Sequence, residues 1–441
     1  MSKENNIPKH WQVKKLGEVC DKISLNGIKI KQKDYLPEGK FPVVDQGQDL
    51  IGGYFNDEKL LVPTEPPYII FGDHTKVKKF INFKFIAGAD GVKVLKPHSI
   101  YDPKFFFYLI HTVKIPDKGY ARHFQFLEKE EIPLPPLIEQ QAIVSKIEEL
   151  LSDLENGTQQ LQTAQQQLKV YRQSLLKAAF EGKLTCLNYD SSDLCDEHDL
   201  ERKLKNNQGN HNNHKNQGSD NLPKGWKWMK LGDVTEINPK IPNRDNISDD
   251  LEIQFLPMKL VEEVVGKFHL TETRKYGEVK KGYTPFINND VIFAKVTPCM
   301  ENGKITVVNN LKNKIGFGSS EFHVLRATEN ILSKYVFYFV VQDKFRNEAA
   351  NEMTGAVGLR RVPKQFIENY PIPFPPLKEQ QLIVNELESK LTVCDKIEET
   401  IKDALQKSET LRQSILQKAF SGQLIKNHVN HKNQINHSSD N

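Results

Sequence analysis

The sequence predicts an α+β fold laid down twice, each copy a β-rich module followed by one long helix. Three observations predict it. The chain of 441 residues repeats itself, the repeat is elastic in its first part and rigid in its last, and the rigid part carries a heptad pattern. Trp11 to Asp21 (WQVKKLGEVCD) returns as Trp226 to Glu236 (WKWMKLGDVTE), and Ile132 to Gln141 (IPLPPLIEQQ) returns as Ile372 to Gln381 (IPFPPLKEQQ). Between these anchors the offset climbs from 215 through 222 and 230 to 240, and from the second anchor to Leu184 and Leu424 it stays at 240. Loops absorb insertions and packed helices do not, so a length-locked segment after an elastic one reads as a helix after a globular module.

The elements follow in order. The first module occupies residues 1–135, with short β-rich runs at Phe41 to Val44, Tyr68 to Phe71 and Gly91 to Leu95, and an aromatic helix near Pro103 to Thr112. A Pro-Pro-Leu step then bars helix upstream and opens a long helix within 136–187. Ile143, Ile147, Leu150, Leu154, Gly157, Leu161, Ala164, Leu168, Tyr171, Leu175 and Ala178 alternate spacings of four and three, which is a coiled-coil seam. Residues 188–222 are rich in Asn, Lys, His, Asp, Ser and Gln and read as a linker that cannot bury a core. The second module, 223–375, has strands expected at Asp290 to Ala294, Ile305 to Val308 and Phe322 to Leu325, and an aromatic helix near Ser333 to Phe345. The second long helix, 376–425, places Ile383, Leu387, Cys394, Ile397, Ile401, Ala404, Leu411 and Ile415 on the equivalent seam, with Lys390, Ser408 and Lys418 as polar interruptions. Gly182 and Gly422 stand where a left-handed C-terminal cap belongs, and a polar tail fills 426–441.

Composition excludes some functions. No apolar run approaches the roughly 18 residues of a membrane span, and Met1 to His10 is too polar for a secretory signal. The 5 cysteines form no CxxC pair, which points to a reduced, cytoplasmic setting. A net charge of +4 permits a nucleic-acid partner without demanding one. There is no GxxxxGK[ST] loop, no GxGxxG after a strand and no HExxH, so neither ATP binding by a phosphate loop nor that zinc chemistry is expected. Glu65-Pro66-Pro67-Tyr68 looks like an amino-methyltransferase tetrapeptide but lacks its leading Asn or Asp, and reads better as a turn into a strand. Pro116-Asp117 with Glu128-Lys129 has the wrong spacing for a nuclease site. Cys186, Cys195, His198, His211 and His214 match no zinc spacing, so no metal is expected. No catalytic residue is assigned.

What remains suits DNA. The first module clusters His74, Lys76, Lys78 and Lys79 after a strand and carries Arg122-His123 further on. In the second module, Lys295, Thr297 and Lys304 flank a Pro-Cys-Met-Glu-Asn-Gly turn, Ser319 and Ser320 follow a glycine, and Arg360-Arg361 is a dibasic step. At an offset of 238, Arg122-His123 aligns with Arg360-Arg361, so both copies set cations just before the Pro-Pro step. Phosphates need such cations, and base edges are read by Arg, Lys, Ser and Thr.

Asp290 to Lys304 (DVIFAKVTPCMENGK), Met353 to Arg361 (MTGAVGLRR) and the two Pro-Pro-Leu-x-Glu-Gln-Gln entries to long helices give the chain a family. It resembles the specificity subunit of type I restriction–modification systems over nearly its whole length. The resemblance implies an α+β fold of two target recognition domains, separated by two long helices that pair as an antiparallel coiled coil with pseudo-two-fold symmetry. It implies a non-catalytic subunit whose modules each read one half of a bipartite site in double-stranded DNA. Ile147, Leu154, Leu161, Leu168 and Leu175, with Leu387, Ile397, Ile401, Leu411 and Ile415, become candidates for the seam or a partner-facing surface. Two methyltransferase subunits and two restriction subunits are the implied partners. They would hold S-adenosylmethionine, ATP and Mg2+, none of which this chain is expected to bind. The competing readings are a standalone methyltransferase or nuclease, which needs a cofactor or metal site, and a coiled-coil scaffold without DNA, which lacks salt-dependent DNA binding.

Overall fold

The computed structural model describes residues 7–88, 91–116, 118–119, 121–184, 222–242, 246–356 and 358–424. The linker up to residue 221 with Cys195, His198, His211 and His214, the preceding Cys186, and the 426–441 tail lie outside them. The chain forms two compact units, Met1–Thr163 with Ile401–Asn441, and Ala164–Thr400. The border falls within both long helices, so each unit holds one module and a half of each helix.

In unit one, β1 (Gln12–Lys15) pairs antiparallel with β9 (Glu131–Leu134) and closes the base of the module. An antiparallel sheet runs in the order β2 (Cys20–Ile23), β8 (Val92–Pro97), β5 (Tyr68–Gly72), β6 (Lys78–Ile81). A second sheet runs β4 (Gly53–Phe55), β3 (Phe41–Val44), β7 (Ile86–Ala87), with β3 and β7 parallel. All five residues of β5 are buried, as expected of an unbroken apolar run in a central strand. Tyr68 is fully buried there, so Glu65 to Tyr68 is indeed a turn into a strand.

Unit two repeats the plan with one strand more. Its base pair is β10 (Lys227–Lys230) with β19 (Pro371–Phe374), and its first sheet is β11 (Thr235–Ile237), β18 (Phe322–Ala327), β15 (Val291–Ala294), β16 (Ile305–Val307). The second sheet is β13 (Glu272–Lys275), β12 (Glu252–Leu256), β17 (Ile315–Gly318), β14 (Thr284–Ile287), again with one parallel pair, β12 with β17.

The first aromatic helix is Pro103–Thr112, with Pro at its start and the Asp102 carboxylate accepting from Lys104 N and Phe105 N at 2.9 Å each. The second differs from the expected single helix. It ends at Val340 and a new helix begins at Asp343. The break is capped from the side: Gln342 Nε2 donates to Phe339 O and Arg346 Nε to Val341 O, satisfying carbonyls that a continuous helix would have used.

The Glu-Gln-Gln motif has a structural purpose. Gln140 is fully buried; its Oε1 accepts from Asp102 N at 2.7 Å, and its Nε2 donates to Ile100 O and Pro135 O at 2.9 Å each. Gln380 does the same in unit two, with Leu332 N, Asn330 O and Pro375 O. One amide thus ties the Pro-Pro step and the start of the long helix to the start of the aromatic helix. The Leu-Gly pairs of the repeat are equally local. Leu16 N and Leu231 N donate to Glu130 O and Tyr370 O. A Cβ on Gly17 or Gly232 would stand 3.1 or 2.9 Å from a backbone oxygen.

The long helices are Leu137–Phe180 and Leu377–Phe420, 44 residues each, or about 66 Å. Gly182 (φ 71) closes the first: its N–H donates to Ala179 O and Lys183 N donates to Ala178 O, the two bonds of a Schellman cap. Gly422 (φ 74) holds the same place on the second. The helices run antiparallel, since Glu155 pairs with Arg412 in unit one while Arg172 pairs with Asp395 and Glu398 in unit two. Arg172 and Arg412 are equivalents under the 240-residue offset, and so are Glu155 and Asp395.

Every expected seam position of the first helix, including Ile147, Leu154, Leu161, Leu168 and Leu175, is buried or half-buried. On the second, Leu387, Ile401 and Ile415 are buried, but Ile397 and Leu411 are 44% and 49% exposed. These two leave the seam. The covered line runs Leu387, Leu391, Cys394, Glu398, Ile401, Leu405, Ser408, Arg412, Ile415. Its spacing is still four and three, but charged residues take two places because they find ionic partners on the facing helix.

Candidate nucleic-acid interface

In unit one, three loops meet beyond the end of β5. Asp73, buried just past the strand, fastens the segment before the Pro-Pro step. Its carbonyl accepts from His123 N at 2.8 Å and from His123 Nδ1 at 3.0 Å, and its Oδ1 accepts from Phe124 N at 2.8 Å. Its Oδ2 lies 3.3 Å from Lys93 Nζ. His74 Nδ1 donates to Ala121 O, and His74 N donates to Gln46 Oε1. Thr75 Oγ1 donates to Gln46 O, bringing in the loop after β3. Candidates 48 residues apart in sequence, His74 and Arg122, therefore sit on one loop cluster. Arg122 is exposed and has no ion-pair partner among the described residues.

Two candidates of this module are revised. Lys79 is buried, and its Nζ donates to Asp45 O and Asp49 O; burial pulls its pKa down, with Asp45 and Asp49 opposing. It braces the 45–49 loop from inside. His123 is fully buried against Asp73, so it anchors its neighbour Arg122 and does not face solvent. Lys76 and Lys78 are half-buried, and burial together with Lys76 lowers the Lys78 pKa.

Unit two builds the corresponding surface from backbone. Val362 N donates to Lys295 O at 2.9 Å and Thr297 N to Arg360 O at 3.1 Å, a short antiparallel ladder in which Val296 faces Arg361. Lys295 N donates to Glu321 O, adding the Ser319–Ser320 turn. Beneath the ladder His323, 5% exposed, donates from Nε2 to Val362 O at 2.9 Å and accepts at Nδ1 from Asn238 Nδ2 at 3.1 Å. Burial pushes its pKa down to about 4, so the ring is neutral. Arg360 is exposed without an ion-pair partner among the described residues, and Ser320 is exposed.

Four candidates here are committed to the protein itself. Arg361 forms a two-armed pair with Glu321, 2.8 Å from Nε and 2.7 Å from Nη2, and that hydrogen bond holds the Glu321 carboxyl below its usual range. Lys304 Nζ donates to Val261 O at 2.8 Å. Thr297 Oγ1 lies 3.4 Å from Glu301 Oε1 and from Met353 Sδ. Ser319 Oγ accepts from Glu321 N and shapes its turn.

The family model described as "Type I restriction modification DNA specificity domain" matches residues 8–163 and 223–407. The chain belongs to this family. The EcoAI specificity subunit of the Escherichia coli type I restriction enzyme is 41% identical over 196 residues, 44% of this chain and 33% of that protein. The EcoDI specificity subunit of Escherichia coli is 23% identical over 432 residues, 95% of this chain and 89% of that protein. The chain thus spans about a third of the first of these relatives and most of the second. Among solved structures, the HsdS subunit of Thermoanaerobacter tengcongensis superposes with a TM-score of 0.52 at 20% identity, covering 95% of this chain and 98% of that one. A chain from a study of assembly and conformational transition in a type I R-M system gives 0.65 at 18%, covering 95% and 99%. These last two likenesses concern the fold. No helix among the described residues is long and apolar enough to cross a membrane, and no His, Cys, Asp and Glu group among them could hold a metal ion.

Sequence reading missed Asp73, Gln46 and His323, which position the cations, and Lys240 and Lys280, which line one cavity with Lys295 only through the fold. Asp73 had a signal: it occupies the place that Lys295 takes in the repeat, just past the central strand. The others had none, because their partners lie tens of residues away.

Proposed function

We propose that the chain is the DNA sequence-specificity subunit of a type I restriction–modification complex. Each module reads one half of a bipartite target in double-stranded DNA, through the loop cluster that carries Arg122 in one and Arg360 in the other. The single observation that carries this reading is the repeated anchor: both modules bend the segment before the Pro-Pro step onto the residue after the central strand, presenting an unpaired arginine. An exposed guanidinium on an anchored backbone suits a guanine edge or a phosphate. The subunit is non-catalytic. The long helices set the spacer between half-sites and dock two methyltransferase subunits, which bring S-adenosylmethionine; two restriction subunits bring ATP and Mg2+. The module borders 1–135 and 223–375 belong to the same reading.

The test is a long-read methylation map of cells carrying the methyltransferase partner, with and without this chain. The expected result is one bipartite N6-methyladenine motif that exists only when the chain is present. An identical map in both strains contradicts the proposal.

A further inference from the structure

Unit two has an open cavity of about 260 Å³ between its two sheets, with Lys240, Lys280, Lys295, Asn238, Tyr283 and Thr284 on its wall. Among the described residues no carboxylate lines it. Lys280 is held by both oxygens of Asp249, at 2.7 and 2.8 Å. Lys240 and Lys295 have no ion-pair partner among the described residues. The nearby Asp290 is spent on Arg326, which grips it at 2.9 and 2.8 Å and also donates to Lys240 O. Lys240 and Lys295, neither of them in an ion pair among the described residues, add positive charge to one concavity and favour an anion there.

The size limits that anion. Pockets for drug-sized ligands run to roughly 300–1,000 Å³, so this one suits a phosphate group with part of a sugar better than a whole cofactor. Its position limits the source. Lys295 O is the acceptor that fixes Val362, two residues after Arg360, so the cavity mouth and the arginine face share a residue. Asn238 fixes the opposite rim, since its Oδ1 accepts from Val324 N at 3.0 Å. Arg274, stacked 3.7 Å from the Phe255 ring centroid, donates to Tyr283 OH and steadies the aromatic wall.

We propose that this cavity is a phosphodiester-binding site that extends the DNA footprint of module two beyond its base-reading loops. The proposal rests on the reading of the chain as a DNA-recognition subunit. The site is sequence-blind: it fixes the register in which Arg360 meets the bases and contributes to the salt dependence of binding.

The experiment uses the full chain in complex with methyltransferase subunits and measures fluorescence anisotropy with target and non-target duplexes over a NaCl series. Lys240→Ala and Lys240→Glu should weaken both duplexes by the same factor and lower the log–log salt slope by about 0.9 for each phosphate no longer neutralised. Lys267→Ala, outside the cavity, should leave the slope unchanged. If both Lys240 variants bind like wild type while Arg360→Ala weakens the target duplex, the cavity proposal is overturned and the DNA-recognition reading stands. If the wild-type complex binds no duplex in a salt-dependent way, both fall. Calorimetric titration with 5′-AMP separates the other source of phosphate. Binding of the free nucleotide that Lys240→Ala abolishes, with an unchanged DNA slope, assigns the cavity to mononucleotides and overturns the proposal.

Discussion

The two modules fasten the same segment to the same point by different means. In unit one backbone and side chain share the work: the Asp73 carbonyl accepts from His123 N and Nδ1, and its carboxylate accepts from Phe124 N. In unit two the equivalent residue, Lys295, uses only its backbone, and the segment with Arg360 and Arg361 joins as a short ladder. The difference shows how such a repeat diverges. Where backbone alone carries the anchor, the side chain after the central strand is free to face a ligand, and a lysine stands where the other copy adds an aspartate carboxylate. The frame behaves in the opposite way. Gln140 and Gln380 make the same three hydrogen bonds, because a buried amide has no substitute with that geometry.

This contrast can be broken most visibly at the anchor itself. Asp73→Ala removes a buried carboxylate paired with Lys93 and orphans Phe124 N, and it should destabilise unit one by about 3 kcal/mol. Lys295→Ala should change the stability of unit two by under about 0.5 kcal/mol while weakening DNA binding. Hydrogen exchange read peptide by peptide in the intact protein separates the two units; equal losses would erase the distinction.

Acid sharpens it next. His323 has its pKa near 4 when folded, against an ordinary value of about 6.5. Below pH 6.5 the unfolded chain binds a proton that the folded ring refuses, so the stabilising contribution is complete at neutral pH and is lost as pH falls towards 4. Between pH 6.5 and 5 the loss is about 2 kcal/mol. His323→Gln should flatten that part of the pH profile in unit two's exchange; a wild-type profile already flat there contradicts the buried neutral ring.

Arg122→Ala and Arg360→Ala should each weaken binding of the target duplex roughly tenfold, about 1.4 kcal/mol, without touching stability. A competition assay with each half-site scrambled in turn should show each variant indifferent to its own half-site only. Loss of discrimination at both half-sites from one variant would mean that the modules do not read separately.

The smallest effect concerns the seam. Arg172 is 17% exposed on two acids, whereas its repeat partner Arg412 is 43% exposed on one. Arg172→Ala should cost about 1 kcal/mol in unit two and Arg412→Ala under about 0.5 kcal/mol in unit one, since exposed pairs contribute little. Urea melts of the two variants give the order; the reverse order would show that burial does not set their worth.

Sequence pattern made part of this legible. Phe41–Val44 and Pro103–Thr112 stand where the β-rich run and the aromatic run put them. The glycine caps at 182 and 422 followed from the one backbone region they favour. Seam residues were legible where apolar side chains made the contact and misread at Ile397 and Leu411, because counting apolar residues cannot see that Glu398 and Arg412 have partners on the other helix. The break at Gln342 was hidden for a related reason: the carbonyls it frees are satisfied by Gln342 and Arg346, side chains whose direction no periodicity records. Lys79 read as a surface cation because charge is usually exposed. What buries it is a loop about 30 residues away, where the carbonyls of Asp45 and Asp49 accept from it.

The central claim, that two independent reading surfaces are held apart by helices of fixed length, meets its most direct test in a methylation map. One heptad is inserted into each long helix, which preserves the seam. Seven residues add about 10 Å, close to three base pairs at roughly 3.4 Å each. The predicted map keeps both half-sites and lengthens the spacer between them by about three base pairs. A map with a changed half-site and the original spacer would contradict it.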